Sequence, residues 1–188
     1  MKRIAIFASG NGSNFAALAE ACKKGEIQAE TVLCVCDKPG AYVTERAKSA
    51  GIRVLELRPK SFESKAAYES TILEELCKEN VDLICLAGYM RIIGPTLLNA
   101  YEGKIINIHP SLLPAFPGVD AIGQAMDYGV KVYGVTVHYV DDTLDGGKII
   151  AQRAIPYDGH DRDVLEPLVH ATEHALYIET VSRLVHSA

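Results

Sequence analysis

Asn107 and His109 stand two residues apart in an otherwise apolar stretch of strand type that begins at Lys104. Residues i and i+2 of a strand point to the same face, so both side chains should project from one strand end. Pro110 cannot donate to a sheet and keeps His109 extended, which predicts that the strand ends there. A carboxamide can donate to an oxyanion and an imidazole can move a proton, so the pair indicates acyl-type transfer without a metal or a covalent nucleophile. Two polar residues that merely satisfy each other at a strand end would give the same pattern.

The acidic loop (residues 141–147) is a second source of chemical groups, with the sequence Asp-Asp-Thr-Leu-Asp-Gly-Gly. It lacks the oxygen spacing and the closing Glu of a calcium loop. A carboxylate from this loop near His109 would favour the protonated imidazole and fix its orientation. His138 lies on an alternating strand and is interpreted as a structural hydrogen-bonding residue.

The glycine loop (residues 9–14, Ser-Gly-Asn-Gly-Ser-Asn) follows an apolar strand and opens a helical pattern. Backbone N–H groups and the helix dipole form an anion site at such a junction, which predicts a monophosphate ligand. A dinucleotide fold would instead need a third glycine where Phe15 stands and an acid such as Asp37 after the second strand. A nicotinamide cofactor therefore stays open as an alternative, as does a tight turn with a simple helix cap.

Two further segments carry candidate binding groups. The cleft loop (residues 88–94) contains a Met and an Arg among apolar residues and follows the fourth strand, on the side of the sheet where ligands bind. It could frame a flat heterocycle or simply pack as a loop. In the closing helix, polar and aromatic residues with helical spacing share one face, which is either a binding face or a solvated one: His170, Glu173, His174 and Tyr177.

Strand and helix patterns alternate as far as residue 108, which predicts an α/β fold with a doubly wound, mostly parallel, Rossmann-like sheet. A C-terminal antiparallel hairpin (132–140 and 148–155) and a closing helix (163–185) follow. We expect a single domain over 1–188, with a phosphate-binding α/β half over 1–108 and a second half over 109–188. A long helix is predicted over 61–79, with Cys77 among its inward residues.

Composition narrows the class of protein. The 188 residues carry a net charge of −5 without a basic run, so a nucleic acid partner is not expected. Apolar runs are too short for a membrane span or a signal peptide, which predicts a cytoplasmic protein without a membrane partner. The five cysteines form no CxxC pair and are interpreted as small buried residues of a reducing compartment.

Taken together, these motifs resemble the folate-dependent glycinamide ribonucleotide formyltransferase family. The resemblance runs over about residues 3–185. Its most specific parts are 10–14, 107–114, 134–138 and 145–147. It implies transfer of a formyl group from the co-substrate 10-formyltetrahydrofolate to the amine of glycinamide ribonucleotide in purine synthesis, with no metal, by a monomer or homodimer.

The resemblance also implies roles for individual residues. Asn107 would stabilise the oxyanion, His109 would act as general acid, and Asp145 would orient His109 or a water. The ribonucleotide would be held by Gly10, Asn11, Gly12, Ser13, Asn14, His170 and Glu173. The folate, in the half over 109–188 and the cleft loop, would be held by Lys65, Met90, Arg91, Ile92, Ile93, Asn107, Val140, Asp141, Asp142, Thr143, Leu144 and Asp145.

Relatives of this family share the same Asn, His and Asp set. Formyltransferases that act on methionyl-tRNA carry a further C-terminal domain, and formyltetrahydrofolate hydrolases carry an N-terminal regulatory domain. The length of this chain and its early glycine loop favour the ribonucleotide enzyme. A formyltetrahydrofolate hydrolase, an NAD-dependent oxidoreductase and a non-catalytic nucleotide sensor are the alternatives.

Overall fold

The computed structural model describes residues 1–187. Seven strands make one sheet: β1 (Lys2–Ala8), β2 (Ala29–Cys36), β3 (Arg53–Glu56), β4 (Leu83–Leu86), β5 (Ile105–His109), β6 (Val132–Tyr139) and β7 (Ile149–Pro156). Six α-helices surround it: α1 (Ser13–Lys24), α2 (Tyr42–Ser49), α3 (Lys65–Lys78), α4 (Pro95–Ala100), α5 (Ala121–Tyr128) and α6 (Arg162–His186).

The strand order is β3-β2-β1-β4-β5-β6-β7, with parallel pairing from β3 to β5 and antiparallel pairing of β5, β6 and β7. The chain order reverses between β1 and β4, and ligands of open α/β sheets bind outside the strand ends at such a point. The predicted doubly wound sheet, antiparallel hairpin and closing helix are confirmed.

The core lies on both faces of the sheet because side chains of β1 alternate between them. Ile4, Ile6 and Ala8 enter the cluster that α1, α5 and α6 cover, while Ala5 and Phe7 enter the cluster beneath α3 and α4. Full burial of one large apolar side chain contributes about 1.5–3 kcal/mol. These clusters hold the carboxyl ends of β1, β4 and β5 in fixed positions.

Helix α6 is tied to the sheet by a buried polar contact. The Tyr177 hydroxyl donates to the Leu86 carbonyl at 2.7 Å, and the Tyr177 side chain is fully buried. Of the helix face predicted from its polar and aromatic spacing, Glu173 and Tyr177 are buried, whereas His170 is exposed. This contact positions the residues one turn earlier, including Glu173, above the end of the sheet.

Helix α3 differs from its prediction in two respects. It begins at Lys65 rather than at residue 61, because Ser64 caps it by accepting a hydrogen bond from the Ala67 N–H at 3.0 Å. The prediction that Cys77 faces inward is wrong, since Cys77 is exposed. The buried stripe contains Ile72 and Leu76, and Cys77 lies one residue, about 100° of helix rotation, beyond it.

No helix within residues 1–187 is both long and apolar enough to cross a membrane.

Candidate active site

Asn107 is oriented by the neighbouring antiparallel strand. His138 of β6 lies opposite it, and the Asn107 amide nitrogen is 3.4 Å from His138 Nε2. His138 Nδ1 is 2.8 Å from the Tyr139 carbonyl and must donate to it, so Nε2 keeps a lone pair that accepts from Asn107. Burial lowers the pKa of His138, which keeps it neutral. One amide N–H of Asn107 is thus occupied and the other is available to a reacting oxygen.

His109 ends β5 as Pro110 predicts, and its ring is held from one side. Nε2 donates to the Phe116 carbonyl at 2.8 Å, which leaves Nδ1 as the nitrogen that can exchange a proton in the cleft. Phe116 has a φ of 54°, a left-handed conformation that costs a non-glycine residue about 1 kcal/mol or more. The strained backbone aims a carbonyl at the imidazole and so selects its orientation.

Asp145 reaches the two histidines from the acidic loop. Its Oδ2 lies 3.6 Å from His109 Nδ1, and its Oδ1 lies 3.9 Å from His138 Nε2. Oδ2 also accepts from the Gly118 N–H at 2.8 Å. A Cβ at Gly147 would lie 1.7 Å from the Tyr139 carbonyl oxygen, so only glycine lets this loop fold back on β6. The carboxylate expected near His109 is therefore Asp145.

These three side chains line a cleft of about 520 Å³. The cleft brings together predicted folate residues from both sides of the proposed boundary at residue 108: Met90, Arg91, Ile92, Ile93, Asn107, Val140, Asp141, Thr143, Leu144 and Asp145. Its apolar rim is open, with Met90, Ile92 and Leu144 each about 60% exposed (61%, 62% and 61%). Such a rim suits a flat, partly apolar ring.

Lys65 and Asp142 are not among the residues that line the cleft. Lys65 is exposed at the start of α3, and its Cε would lie 3.0 Å from a Cβ placed on Gly94, so it touches the far end of the cleft loop. The lining also contains residues that were not among the predicted folate contacts: Leu86, Gly88, Tyr89, Ile108, Pro110, segment 118–122 and His138. The signal for segment 118–122 was its place directly after the 107–114 motif.

The glycine loop has a fixed shape at the start of α1. Gly12 has a φ of 79°, and a Cβ there would lie 2.5 Å from Val43 Cγ2. Arg46 donates to the Asn11 carbonyl and to Asn11 Oδ1, both at 2.8 Å. The first turn of α1 carries no acidic residue, so its free N–H groups present a positive end to an anion.

Glu173 of α6 faces the glycine loop. It is 5% exposed, and its Oε2 accepts from His170 Nδ1 at 3.0 Å and from the Asn14 amide at 3.4 Å. The buried Oδ1 of Asn14 has no hydrogen-bond partner among the described residues. A buried acceptor without a partner is costly, so this corner suits a ligand that supplies donors such as hydroxyl or amine groups.

Titration of His170 should report on this corner. The hydrogen bond to the Glu173 carboxylate raises the pKa of His170 above its usual value of about 6.5. The pair should therefore stabilise the fold below pH 6.5 and lose that effect as pH rises through the raised pKa. We expect NMR titration to show a lower His170 pKa in Glu173→Ala than in the wild type. Glu166→Gln is the matched comparison, because Glu166 raises the His170 pKa through its charge but less than Glu173 does, so it should lower that pKa by less, and an equal drop there would contradict the assignment.

Asp37 is not free to bind a ribose. Its side chain is 1% exposed, and its two oxygens accept from the Ser9 hydroxyl at 2.5 Å and from Arg91 Nε at 3.0 Å. Phe15, where a dinucleotide fold would have glycine, is buried in the core. Both observations disfavour the nicotinamide alternative.

Comparison with known proteins gives consistent matches. The family model described as formyl transferase matches residues 2–181. The phosphoribosylglycinamide formyltransferase of Bacillus subtilis (strain 168) is 55% identical over 186 residues, which are 98% of this chain and 95% of that protein. The crystal structure of glycinamide ribonucleotide transformylase 1 from Geobacillus kaustophilus superposes with a TM-score of 0.95 at 56% identity and covers 98% of each chain. The corresponding structure from Symbiobacterium toebii gives a TM-score of 0.96 at 40% identity and covers 100% of this chain and 89% of that one.

Proposed function

The chain belongs to the formyl transferase family, and we propose that it transfers the formyl group of 10-formyltetrahydrofolate to the amine of glycinamide ribonucleotide. It is thus a folate-dependent formyltransferase of purine synthesis. The observation that carries the proposal is that Asn107, His109 and Asp145 line one apolar cleft, beside a sheet in which β1, on the other side of β4 from β5, leads into the glycine loop.

Each ligand is assigned to the part of the site whose chemistry suits it. The ribonucleotide phosphate binds the backbone N–H groups of the glycine loop at the start of α1. Glu173 and Asn14 receive the hydroxyl or amine groups of the same ligand. The folate ring system occupies the cleft between the cleft loop and the acidic loop. This arrangement brings the amine and the formyl carbon together beside β5, and holding two reactants in register supplies much of the rate.

The reaction proceeds by direct attack of the amine on the formyl carbon. A new C–N bond forms and the carbonyl electrons move to oxygen, where the free amide N–H of Asn107 donates to the oxyanion. The carbon then loses the folate nitrogen as the carbonyl reforms. His109 delivers a proton from Nδ1 to that leaving nitrogen as general acid, and the proton lost by the amine restores the balance. Asp145, whose Oδ2 lies 3.6 Å from His109 Nδ1, orients the imidazole for this step.

A steady-state assay tests this function. Purified protein should release tetrahydrofolate from 10-formyltetrahydrofolate only when glycinamide ribonucleotide is present, in an amount equal to the formylated product. Release of formate at the same rate without ribonucleotide would instead identify a hydrolase. Titration calorimetry with NAD should give no binding, because Asp37 is buried and occupied.

Gly10→Ala gives a clean test of the glycine loop. Gly10 has no atom within 4 Å of an added Cβ, so the variant should keep the wild-type unfolding temperature. The methyl group should hinder approach of the phosphate to the backbone and weaken ribonucleotide binding by roughly tenfold or more, about the effect of one lost hydrogen bond to a charged group. Binding of a folate analogue should stay unchanged.

Gly12→Val is the contrasting variant. Its left-handed φ and the overlap with Val43 should lower stability as well, so both ligands should bind less tightly. Calorimetry with each ligand and thermal unfolding distinguish these outcomes. If a stably folded Gly10→Ala variant lost equal affinity for both ligands, the placement of the phosphate would be contradicted.

A further inference from the structure

The glycine loop and the cleft loop meet at one buried carboxylate. Asp37 follows β2, and its two oxygens each take one donor, the Ser9 hydroxyl at 2.5 Å and Arg91 Nε at 3.0 Å. The Ser9 hydroxyl oxygen in turn accepts from the Met90 N–H at 2.8 Å. A backbone contact runs parallel to these, since the Ser9 N–H donates to the Gly88 carbonyl at 3.1 Å. Two segments far apart in the chain are thereby held against each other.

Neither Ser9 nor Asp37 can touch a substrate. Ser9 is 2% exposed and Asp37 is 3% exposed. The Ser9 hydroxyl donates its only proton to Asp37 and accepts from the Met90 N–H, so it has no proton left to donate to a phosphate. The Arg91 side chain, in contrast, is 45% exposed and lines the cleft. Asp37 therefore acts on ligands only through the residues that it holds.

We propose that Asp37 is a positioning residue that sets the geometry of both substrate loops at once. The inference rests on the proposed function, which assigns the glycine loop to the ribonucleotide and the cleft loop to the folate. Removing the Asp37 carboxylate leaves the buried Ser9 hydroxyl without its acceptor, which is costly, and releases the partly exposed Arg91 side chain from its ion pair. Loss of the Asp37 carboxylate frees Ser9, Met90 and Arg91 together and so disturbs both ligands.

Glu69 offers a matched comparison within the same site. It is a second buried carboxylate, 3% exposed, which accepts from the Gly94 N–H at 2.6 Å and the Leu97 N–H at 3.3 Å. These contacts hold the far end of the cleft loop at the start of α4. Glu69 has no hydrogen bond to the glycine loop, so its loss should affect the folate alone.

The test compares the two carboxylates by kinetics and calorimetry. Asp37→Ala should raise KM for both glycinamide ribonucleotide and 10-formyltetrahydrofolate by roughly 3–30-fold, while kcat at saturation stays within about threefold of the wild type. Glu69→Gln should raise KM for the folate only. Asp37→Asn keeps the shape of the side chain and one acceptor oxygen. Compared with Asp37→Ala, it should therefore bring KM for the ribonucleotide closer to the wild-type value than KM for the folate. A purely structural role would lower the unfolding temperature without this pattern.

Other outcomes overturn the inference. A folded Asp37→Ala variant in which only one KM moves, or neither, excludes a shared positioning role. If Asp37→Ala does not fold, Ser9→Ala decides, because it should weaken binding of a folate analogue although Ser9 belongs to the glycine loop. Unchanged folate affinity in Ser9→Ala would then reject the inference. If the wild-type protein bound both ligands but transferred no formyl group, the proposed function would be overturned. The calorimetric affinities of the Asp37 and Glu69 variants for each ligand would then decide the role of Asp37.

Discussion

Replacing Asn107 with alanine is expected to lower kcat by about 10²–10³-fold, the usual cost of one oxyanion donor. The reason is geometric: His138 accepts one amide N–H of Asn107, so the other N–H is available to a reacting oxygen in the cleft that Asn107 lines. The fold should be unaffected, because Asn107 is only half-buried. Rapid-quench measurement of formyl transfer with both substrates saturating gives the rate.

Asn99→Ala provides the control for this prediction, since Asn99 is an exposed asparagine on α4 that does not line the cleft. It should retain the wild-type rate. A folded Asn107→Ala variant that also kept a rate close to wild type would remove Asn107 from the reaction. A rise in KM alone would make Asn107 a binding residue instead.

His109→Ala should reduce kcat by roughly 10²–10⁴-fold, the range that a general acid contributes. His109 Nε2 is committed to the Phe116 carbonyl, so the variant removes the imidazole nitrogen that faces Asp145 and the cleft. The same rapid-quench assay measures the loss. His160→Ala is the matched control, because His160 is exposed and lies outside the cleft lining. If His109→Ala transferred the formyl group at the wild-type rate, another group would have to supply the proton.

Combining His109→Ala with a change at Asp145 tests how Asp145 acts. Asp145→Asn keeps nearly the same shape and an acceptor for the Gly118 N–H, but it loses the charge beside His109. If Asp145 works by orienting His109, the double variant His109→Ala/Asp145→Asn should be no slower than His109→Ala alone, because the effects of residues that act as a unit do not add. Losses that multiply would place Asp145 on a separate water that relays protons.

Much of the site follows from local pattern, and the rest depends on distant contacts. The spacing of Asn107 and His109 and the stop at Pro110 predict a strand end with two polar groups on it, and β5 ends at His109. The position of Asp145 beside His109 depends instead on how the acidic loop folds back over β6. Gly147 permits that close approach, which periodicity does not reveal.

The contact between Ser9, Asp37 and Arg91 lay beyond prediction for a similar reason. Ser9 and Asp37 are 28 residues apart and Asp37 and Arg91 are 54 apart, so only the strand order brings them together. Asp37 enters the sequence interpretation only as the acid that a dinucleotide fold would need after the second strand. It does follow β2, but its carboxylate binds Ser9 and Arg91. The cleft lining also excludes Lys65 and Asp142, whose proposed roles rest on resemblance alone.

Transfer of a labelled formyl group tests the central proposal most directly. The protein is mixed in excess with 10-formyltetrahydrofolate that carries ¹³C in the formyl group and with unlabelled glycinamide ribonucleotide, and the products are followed by mass spectrometry. Direct attack predicts that all the label appears on the ribonucleotide amine and none as free formate. Label recovered as formate, with the ribonucleotide left unchanged, would contradict formyl transfer and identify hydrolysis of the folate as the reaction.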